Sequence, residues 1–218
     1  MYLNGNIMDI HTFRAEFGPF GIFSLAEVVN LHPGFHRNQL DRWEDKGYLR
    51  RLRRGVWAFP ERLGDERFLW LVANRLYGPS YLSLQKALKF YGLIPEEVFL
   101  LTSVCTRKTA TFETPVGAFD YRHLKPELFW GYRWLEWEDR RIRIAEPEKA
   151  VLDLLYLNPG LCTADDFASL RLDAGTFLKL SAPERFTAWA GAFGSRALAR
   201  RAVAFLEYVH HDSALTSA

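Results

Sequence analysis

A chain of 218 residues that is 49% hydrophobic and 25% charged can bury one large core or two modest ones, and these fractions exclude a disordered or low-complexity protein. Its 28 Lys and Arg against 26 Asp and Glu leave a formal net charge of +2, which excludes a uniformly basic or acidic chain. The charge is nevertheless uneven. Residues 32–60 hold seven Lys and Arg against three Asp and Glu, whereas residues 61–218 hold twenty of each, so a local site for a polyanion can exist in a nearly neutral protein.

No apolar run is long enough to span a bilayer, and residues 1–10 lack the basic start and apolar stretch of a secretory signal, so a cytoplasmic protein with no membrane partner is expected. The two cysteines, Cys105 and Cys162, are far apart with no Cys or His at ligand spacing. They read as two buried thiols; no zinc site, disulfide framework or cofactor is expected.

The first helix is predicted over residues 11–17, stopped by Gly18-Pro19. Ser24-Leu25-Ala26-Glu27 is a capping box: the serine oxygen accepts from the amide three residues on, the glutamate reaches back, and a helix starts there and runs to Leu31. After a short turn, Pro33 suits a first helical turn and Gly47 the left-handed position past an end, which predicts a third helix over residues 33–46. On that helix His36, Leu40 and Trp43 project to one side as core. Asn38, Asp41, Arg42 and Asp45 project to the other, flanked by Arg37 and Gln39, and His32 and His36 read as helix-start and core residues. Two short strands follow, residues 48–52 and 56–59, joined by Arg53-Arg54-Gly55 with glycine at positive φ. Helix, turn, helix and an arginine-tipped hairpin make a winged helix-turn-helix.

Pro60-Glu61-Arg62-Leu63-Gly64 is a polar, turn-rich link, so the chain divides into a winged helix-turn-helix domain at residues 1–60 and a larger α+β domain at 65–218. In the second, helices are predicted over 65–76 and 83–91, then strands over 98–106, 110–114, 116–124, 132–137 and 141–145. A helical C-terminal part follows over 147–157, 164–170, 183–192 and 195–210. The first ten and last eight residues are expected to fray. The fold class is α+β.

Arg53 and Arg54 at a hairpin tip can reach phosphates or enter a minor groove. Arg50 and Arg51 point to opposite faces of a strand, so one of the two shares that side. Arg37, Asn38 and Arg42 carry donors suited to guanine, adenine and phosphate. Asp41 and Asp45 oppose a phosphate backbone, although Asp41 can accept from cytosine or orient Arg37 one helical turn away. The partner these residues imply is double-stranded DNA, and two copies are expected on an inverted repeat because helix-turn-helix proteins read paired half-sites.

Three further groups carry weaker signals. Glu146-Pro147-Glu148-Lys149 after a strand has the acid-x-Lys look of a metal-dependent nuclease, with Asp120 as a second acid. The same residues also read as a helix start in which Lys149 pairs with Asp153 one turn on, and that reading is preferred; no catalysis is expected. Phe129-Trp130-Gly131-Tyr132-Arg133-Trp134-Leu135-Glu136-Trp137 is mostly core, but Tyr132 and Trp134 share one strand face and form a candidate partner surface. Arg196, Arg200 and Arg201 line one side of the last helix, as a solvated face or a supplementary contact to nucleic acid or protein.

In four blocks the chain resembles the AbiEi family, the antitoxin and transcriptional-regulator half of bacterial abortive-infection toxin–antitoxin pairs. In the first domain the blocks are Leu40 and the run from Asp45-Lys46-Gly47-Tyr48-Leu49-Arg50 to Gly55-Val56-Trp57-Ala58-Phe59. In the second they are Tyr81-Leu82-Ser83-Leu84-Gln85-Lys86-Ala87-Leu88 with Tyr91-Gly92-Leu93-Ile94-Pro95-Glu96, then Thr106-Arg107-Lys108-Thr109 through Gly117-Ala118-Phe119-Asp120-Tyr121. The last is Ile144-Ala145-Glu146-Pro147-Glu148-Lys149-Ala150-Val151-Leu152-Asp153-Leu154-Leu155-Tyr156. The resemblance implies a DNA-binding autorepressor acting on inverted repeats in its promoter, and a second domain that counteracts a nucleotidyltransferase-fold toxin in phage defence. Where the family wing ends in Gly-Val-Tyr this chain has Gly55-Val56-Trp57, and the tail after Leu161 matches loosely. Other readings are a solitary regulator whose second domain binds another partner, a protein-interaction module, and the nuclease.

Overall fold

The structure is a computed structural model that describes residues 8–216. Asp9 starts α1 (Ile10–Phe17) by accepting from the amides of His11 and Thr12, and a 3-10 turn, Gly18–Phe20, ends it at the Gly-Pro pair. β1 (Ile22–Ser24) is a three-residue strand too short to show any alternation in the sequence. α2 (Leu25–Leu31) begins at the capping box: Ser24 N–H donates to Glu27 at 2.6 Å and Glu27 N–H donates to Ser24 Oγ at 3.2 Å.

The third helix is shorter than predicted. α3 spans Asn38–Asp45, because Pro33 and Gly34 form a turn closed by Phe35 N–H on His32 O. His36 therefore precedes the helix and is exposed, and Phe35 takes its place against the core. His32 closes α2, where its ring lies 2.8 Å from Glu16. Gln39, expected on the polar side, is buried and donates to Met8 O. Gly47 has φ 76 beyond the helix end.

β2 (Arg50–Arg53) and β3 (Val56–Ala58) pair antiparallel, with Arg53 opposite Val56, so the turn is the two residues Arg54-Gly55 and not three. A register shift between Arg51 and Arg53 marks a bulge. β1 adds to β3, giving the order β1-β3-β2, and Gly55 O accepts from Leu25 N–H, which ties the wing turn to the start of α2.

This small sheet is covered on both faces. Phe23, Leu49 and Trp57 join Phe13, Phe17, Val28, Leu40, Trp43 and Phe59 in the core of the helix-turn-helix. Ile22, Leu52, Val56 and Ala58 instead join the core of the rest of the chain, against Phe68 and its neighbours. Gly21 (φ 70) lies at the seam, where an added Cβ would stand 2.4 Å from the Phe68 ring. Arg14–Glu61, Arg75–Glu27 and Arg62–Glu138 ion pairs flank it.

A 3-10 turn at Pro60–Arg62 leads to α4 (Glu66–Leu76), capped by Asp65. Then come β4 (Ser80–Leu82), which the sequence pattern does not reveal, and α5 (Leu84–Phe90). β5 (Leu101–Cys105) starts three residues late, after a loop in which Phe99 is 90% exposed. β6 (Ala110–Thr114), β7 (Gly117–His123), β8 (Tyr132–Trp137) and β9 (Arg140–Ala145) complete a mixed sheet of order β6-β7-β5-β4-β9-β8. β4–β9 and β5–β7 are parallel, and the other pairs antiparallel.

The C-terminal helices are α6 (Pro147–Leu157), α7 (Ala164–Ser169), α8 (Ala174–Leu180), α9 (Pro183–Ala192) and α10 (Arg196–Thr216). α8 falls outside the helices predicted from sequence; its signal was Asp173, whose carboxylate accepts from Thr176 N–H. Of the residues expected to fray, 1–7 and 217–218 lie outside the described residues, whereas Ile10 and residues 211–216 are helical. Cys105 is buried but Cys162 is exposed, so one of the two expected buried thiols is at the surface. Among the described residues, no helix is long and apolar enough to cross a membrane.

Candidate nucleic-acid interface

α3 and the β2–β3 hairpin stand side by side, and the four wing arginines separate into three roles. Arg51 turns inward. Its Nε donates to Glu44 at 2.8 Å and its Nη2 to Asp41 at 2.5 Å, while its guanidinium lies 5.1 Å from the Trp57 ring centroid. Glu44 also accepts from Trp57 Nε1 at 3.2 Å. Burial works against the charged form of Arg51, but the bond to Glu44 and the charges of Glu44 and Asp41 outweigh it and raise the pKa. Arg51 is thus a brace between wing and recognition helix. Its carboxylate partners also correct the pairing considered for Asp41, which is held by Arg51 and not by Arg37.

Arg53 corrects the picture of the wing tip. Its guanidinium leaves the turn and lies 5.0 Å from the Phe112 ring and 5.9 Å from Tyr77, both in the second part of the chain, with Arg107 on Tyr77 at 4.3 Å. Its Nε is buried without an acceptor among the described residues, and desolvation together with the Arg107 charge lowers its pKa. Arg53 therefore joins the wing to the sheet domain.

Arg50 and Arg54 remain. Both are exposed, Arg54 at the turn itself. Arg37, at the N-cap of α3, Asn38 at its first position, and Arg42 one turn on are exposed as well, and Arg42 reaches back to Asn38 O at 3.4 Å. Arg37 and Asn38 thus sit at the N-terminal end of α3 and Arg42 in its last turn, with Arg50 and Arg54 on the adjacent hairpin; a helix-turn-helix meets base edges with the start of its second helix and the backbone with the surfaces around it. Asp45 is exposed.

The remaining candidates are placed elsewhere. Lys149 and Asp153 are fully buried and paired to each other; Lys149 Nζ also donates to Tyr81 OH at 2.9 Å, and Asp153 accepts from Tyr81 OH at 2.9 Å and Ser83 Oγ at 2.8 Å. Burial pushes the Asp153 carboxyl up and the Lys149 ammonium down. Glu148, also buried, holds Arg185 at 2.6 Å and the Ala182 amide at 3.0 Å. Asp120 bonds Thr111 at 2.7 Å on the β6–β7 pair. The acid-x-Lys element is interior scaffolding. Tyr132 is half-buried and stacks on Tyr81 at 5.1 Å, whereas Trp134 is 47% exposed. Arg196 and Arg200 are exposed, but Arg201 donates to Leu155 O and Asn158 O and caps the end of α6.

The N-terminal module is a winged helix-turn-helix whose sheet is shared with a larger α+β body. Residues 14–60, from within α1 to the end of the wing hairpin, match the family model described as "Transcriptional regulator, AbiEi antitoxin", which bears out the resemblance over these residues and supports a DNA-binding regulator of the antitoxin class. A comparison with curated proteins returns no match.

Proposed function

We propose that the protein is a DNA-binding antitoxin that represses its own toxin–antitoxin operon by binding inverted repeats in the promoter. Residues 1–60 act as the DNA-binding domain, and residues 65–218 as the antitoxin domain that counteracts a nucleotidyltransferase-type toxin. The observation that supports the reading is that Arg37, Asn38, Arg42, Arg50 and Arg54 are exposed donors on α3 and the wing hairpin of the module that matches the regulator family. Arg54 and Arg50 take phosphates, Arg37 and Asn38 reach base edges, and Arg42 serves either. Arg51 and Arg53 contribute by holding the wing. Two copies occupy one inverted repeat. No step of this function requires catalysis or a cofactor, and the protein acts in the cytoplasm, where its promoter is.

The test is a reporter driven by the chain's own upstream promoter. The wild-type protein represses it, and Arg37→Ala with Arg54→Ala relieves repression without lowering the protein level. A reporter unaffected by the wild-type protein refutes autorepression. Co-expression with the adjacent gene product then tests the antitoxin half: rescue of growth supports it, and unchanged toxicity, or an adjacent product that is harmless alone, favours a solitary regulator.

A further inference from the structure

A cleft of about 390 Å³ separates the winged module from the β8–β9 hairpin and α4. Phe20 lines it from the winged module, and Arg75, Trp134, Arg140, Arg141 and Arg143 line it from α4 and the hairpin; among the described residues Asp139 is the one carboxylate in the lining. Arg75 is matched by Glu27 at 2.7 Å, and Arg140 by Glu138 at 3.2 Å and by Pro19 O at 2.9 Å. Arg141 and Arg143 are different. No carboxylate forms an ion pair with either among the described residues, although Glu136 faces Arg141 across the strand register.

Their positions are nonetheless fixed. Arg143 is opposite Trp134 in the β8–β9 register, and Asn74 grips its backbone, accepting from Arg143 N–H at 2.5 Å and donating to its carbonyl at 3.2 Å. The two guanidinium carbons lie 5.2 and 5.3 Å from the Trp134 ring centroid. Two cations held on one aromatic ring repel each other, and an oxyanion entering the cleft relieves that repulsion by pairing with both. The half-exposed indole adds a flat surface for an aromatic ring, and the cleft volume is in the range of small-ligand sites.

We propose that this cleft binds a nucleotide, with its phosphates on Arg141 and Arg143 and its base against Trp134. A ligand there touches both the winged module and the sheet. The site is separate from the α3 and wing surface assigned to DNA.

The experiment is a calorimetric titration of the full chain, without DNA, with ATP and with GTP, and in parallel with tripolyphosphate and adenosine. At least one nucleoside triphosphate binds at micromolar concentration. Arg141→Glu, Arg143→Gln and Trp134→Ala each weaken it about tenfold or more. Tripolyphosphate binds more weakly and is insensitive to Trp134→Ala, and adenosine gives no heat. Arg141 is exposed, so its variant keeps the proposal testable if Arg143→Gln melts early. Absence of binding by both nucleotides at millimolar concentration overturns the proposal, as does affinity unchanged by all three substitutions. A short single-stranded oligonucleotide binding far more tightly than either nucleotide also overturns it, reassigning the cleft to nucleic acid.

Discussion

Replacing Arg51 by Met keeps most of the aliphatic stem and removes the charge that joins wing to recognition helix. The structure sets the size of the effect. Arg51 has ion pairs to Asp41 and Glu44 at 2.5 and 2.7 Å, with its side chain 34% exposed, and it stacks on the Trp57 ring. Partly exposed ion pairs contribute about 0.2–1 kcal/mol each. The stacking adds about 0.5–1 kcal/mol. The total is about 1–3 kcal/mol, part of which the Met stem retains against Trp57. Urea denaturation of four proteins reads it: wild type, Arg51→Met, the Asp41→Asn and Glu44→Gln double variant, and the combination. Gln at 44 keeps an acceptor for Trp57 Nε1. If Arg51 is a brace, Arg51→Met costs about 1–3 kcal/mol in the wild-type background and less than half of that once both carboxylates are neutral, a coupling typical of touching residues. Equal costs in both backgrounds would refute the brace. So would no cost at all together with a weaker salt dependence of DNA binding, which would place Arg51 on a phosphate.

Arg54→Ala has the opposite signature: stability within about 0.5 kcal/mol of wild type, and a slope of log affinity against log salt that is shallower by about 0.9, the share of a single phosphate that the arginine neutralises. Asp153→Ala leaves the Lys149 charge buried and the Tyr81 and Ser83 hydroxyls without their acceptor, and costs about 3–5 kcal/mol in chemical denaturation. A loss under about 1 kcal/mol would mean the pair is hydrated. Asp166 caps α7 by accepting from the Cys162 and Thr163 amides, which lowers its pKa from 3.8 to about 2. Its folded pKa is depressed, so its stabilisation is complete above pH 3.8 and fades as pH falls towards about 2. The stability gap between wild type and Asp166→Asn, measured by denaturation at several pH values, therefore narrows over that window; a gap that widens on acidification contradicts the cap.

Local signals were legible where the partner lay within a few residues. Ser24 and Glu27 announced α2, Gly47 the end of α3, and Gly55 the hairpin turn, because capping and positive φ are short-range requirements. Pro33 misled, since a proline suits a turn as well as a first helical turn, and Gly34 beside it favoured the turn. β1 and β4 are three residues each and gain their pairing from strands far along the chain. The roles of the wing arginines were illegible for the same reason. Alternation set Arg50 and Arg51 on opposite faces and the turn set Arg53 beside Arg54, yet Arg51 finds carboxylates on α3 and Arg53 finds Tyr77 and Phe112, neighbours that exist only once the sheet is sandwiched between two cores. Alternation placed Trp134 on an accessible face but could not show that Tyr132 beside it would stack on Tyr81 and be half-buried. The Lys149–Asp153 pair was readable from its spacing, but its depth was not.

The most direct test of the central claim is a fluorescence-anisotropy titration of the full chain on its own upstream promoter DNA and on a scrambled duplex of equal length, each at two salt concentrations. Tighter binding to the promoter is expected, weakened by added salt and by Arg54→Ala, with the promoter's advantage reduced by Arg37→Ala and Asn38→Ala. Equal affinity for both duplexes, or no binding to either, would contradict it.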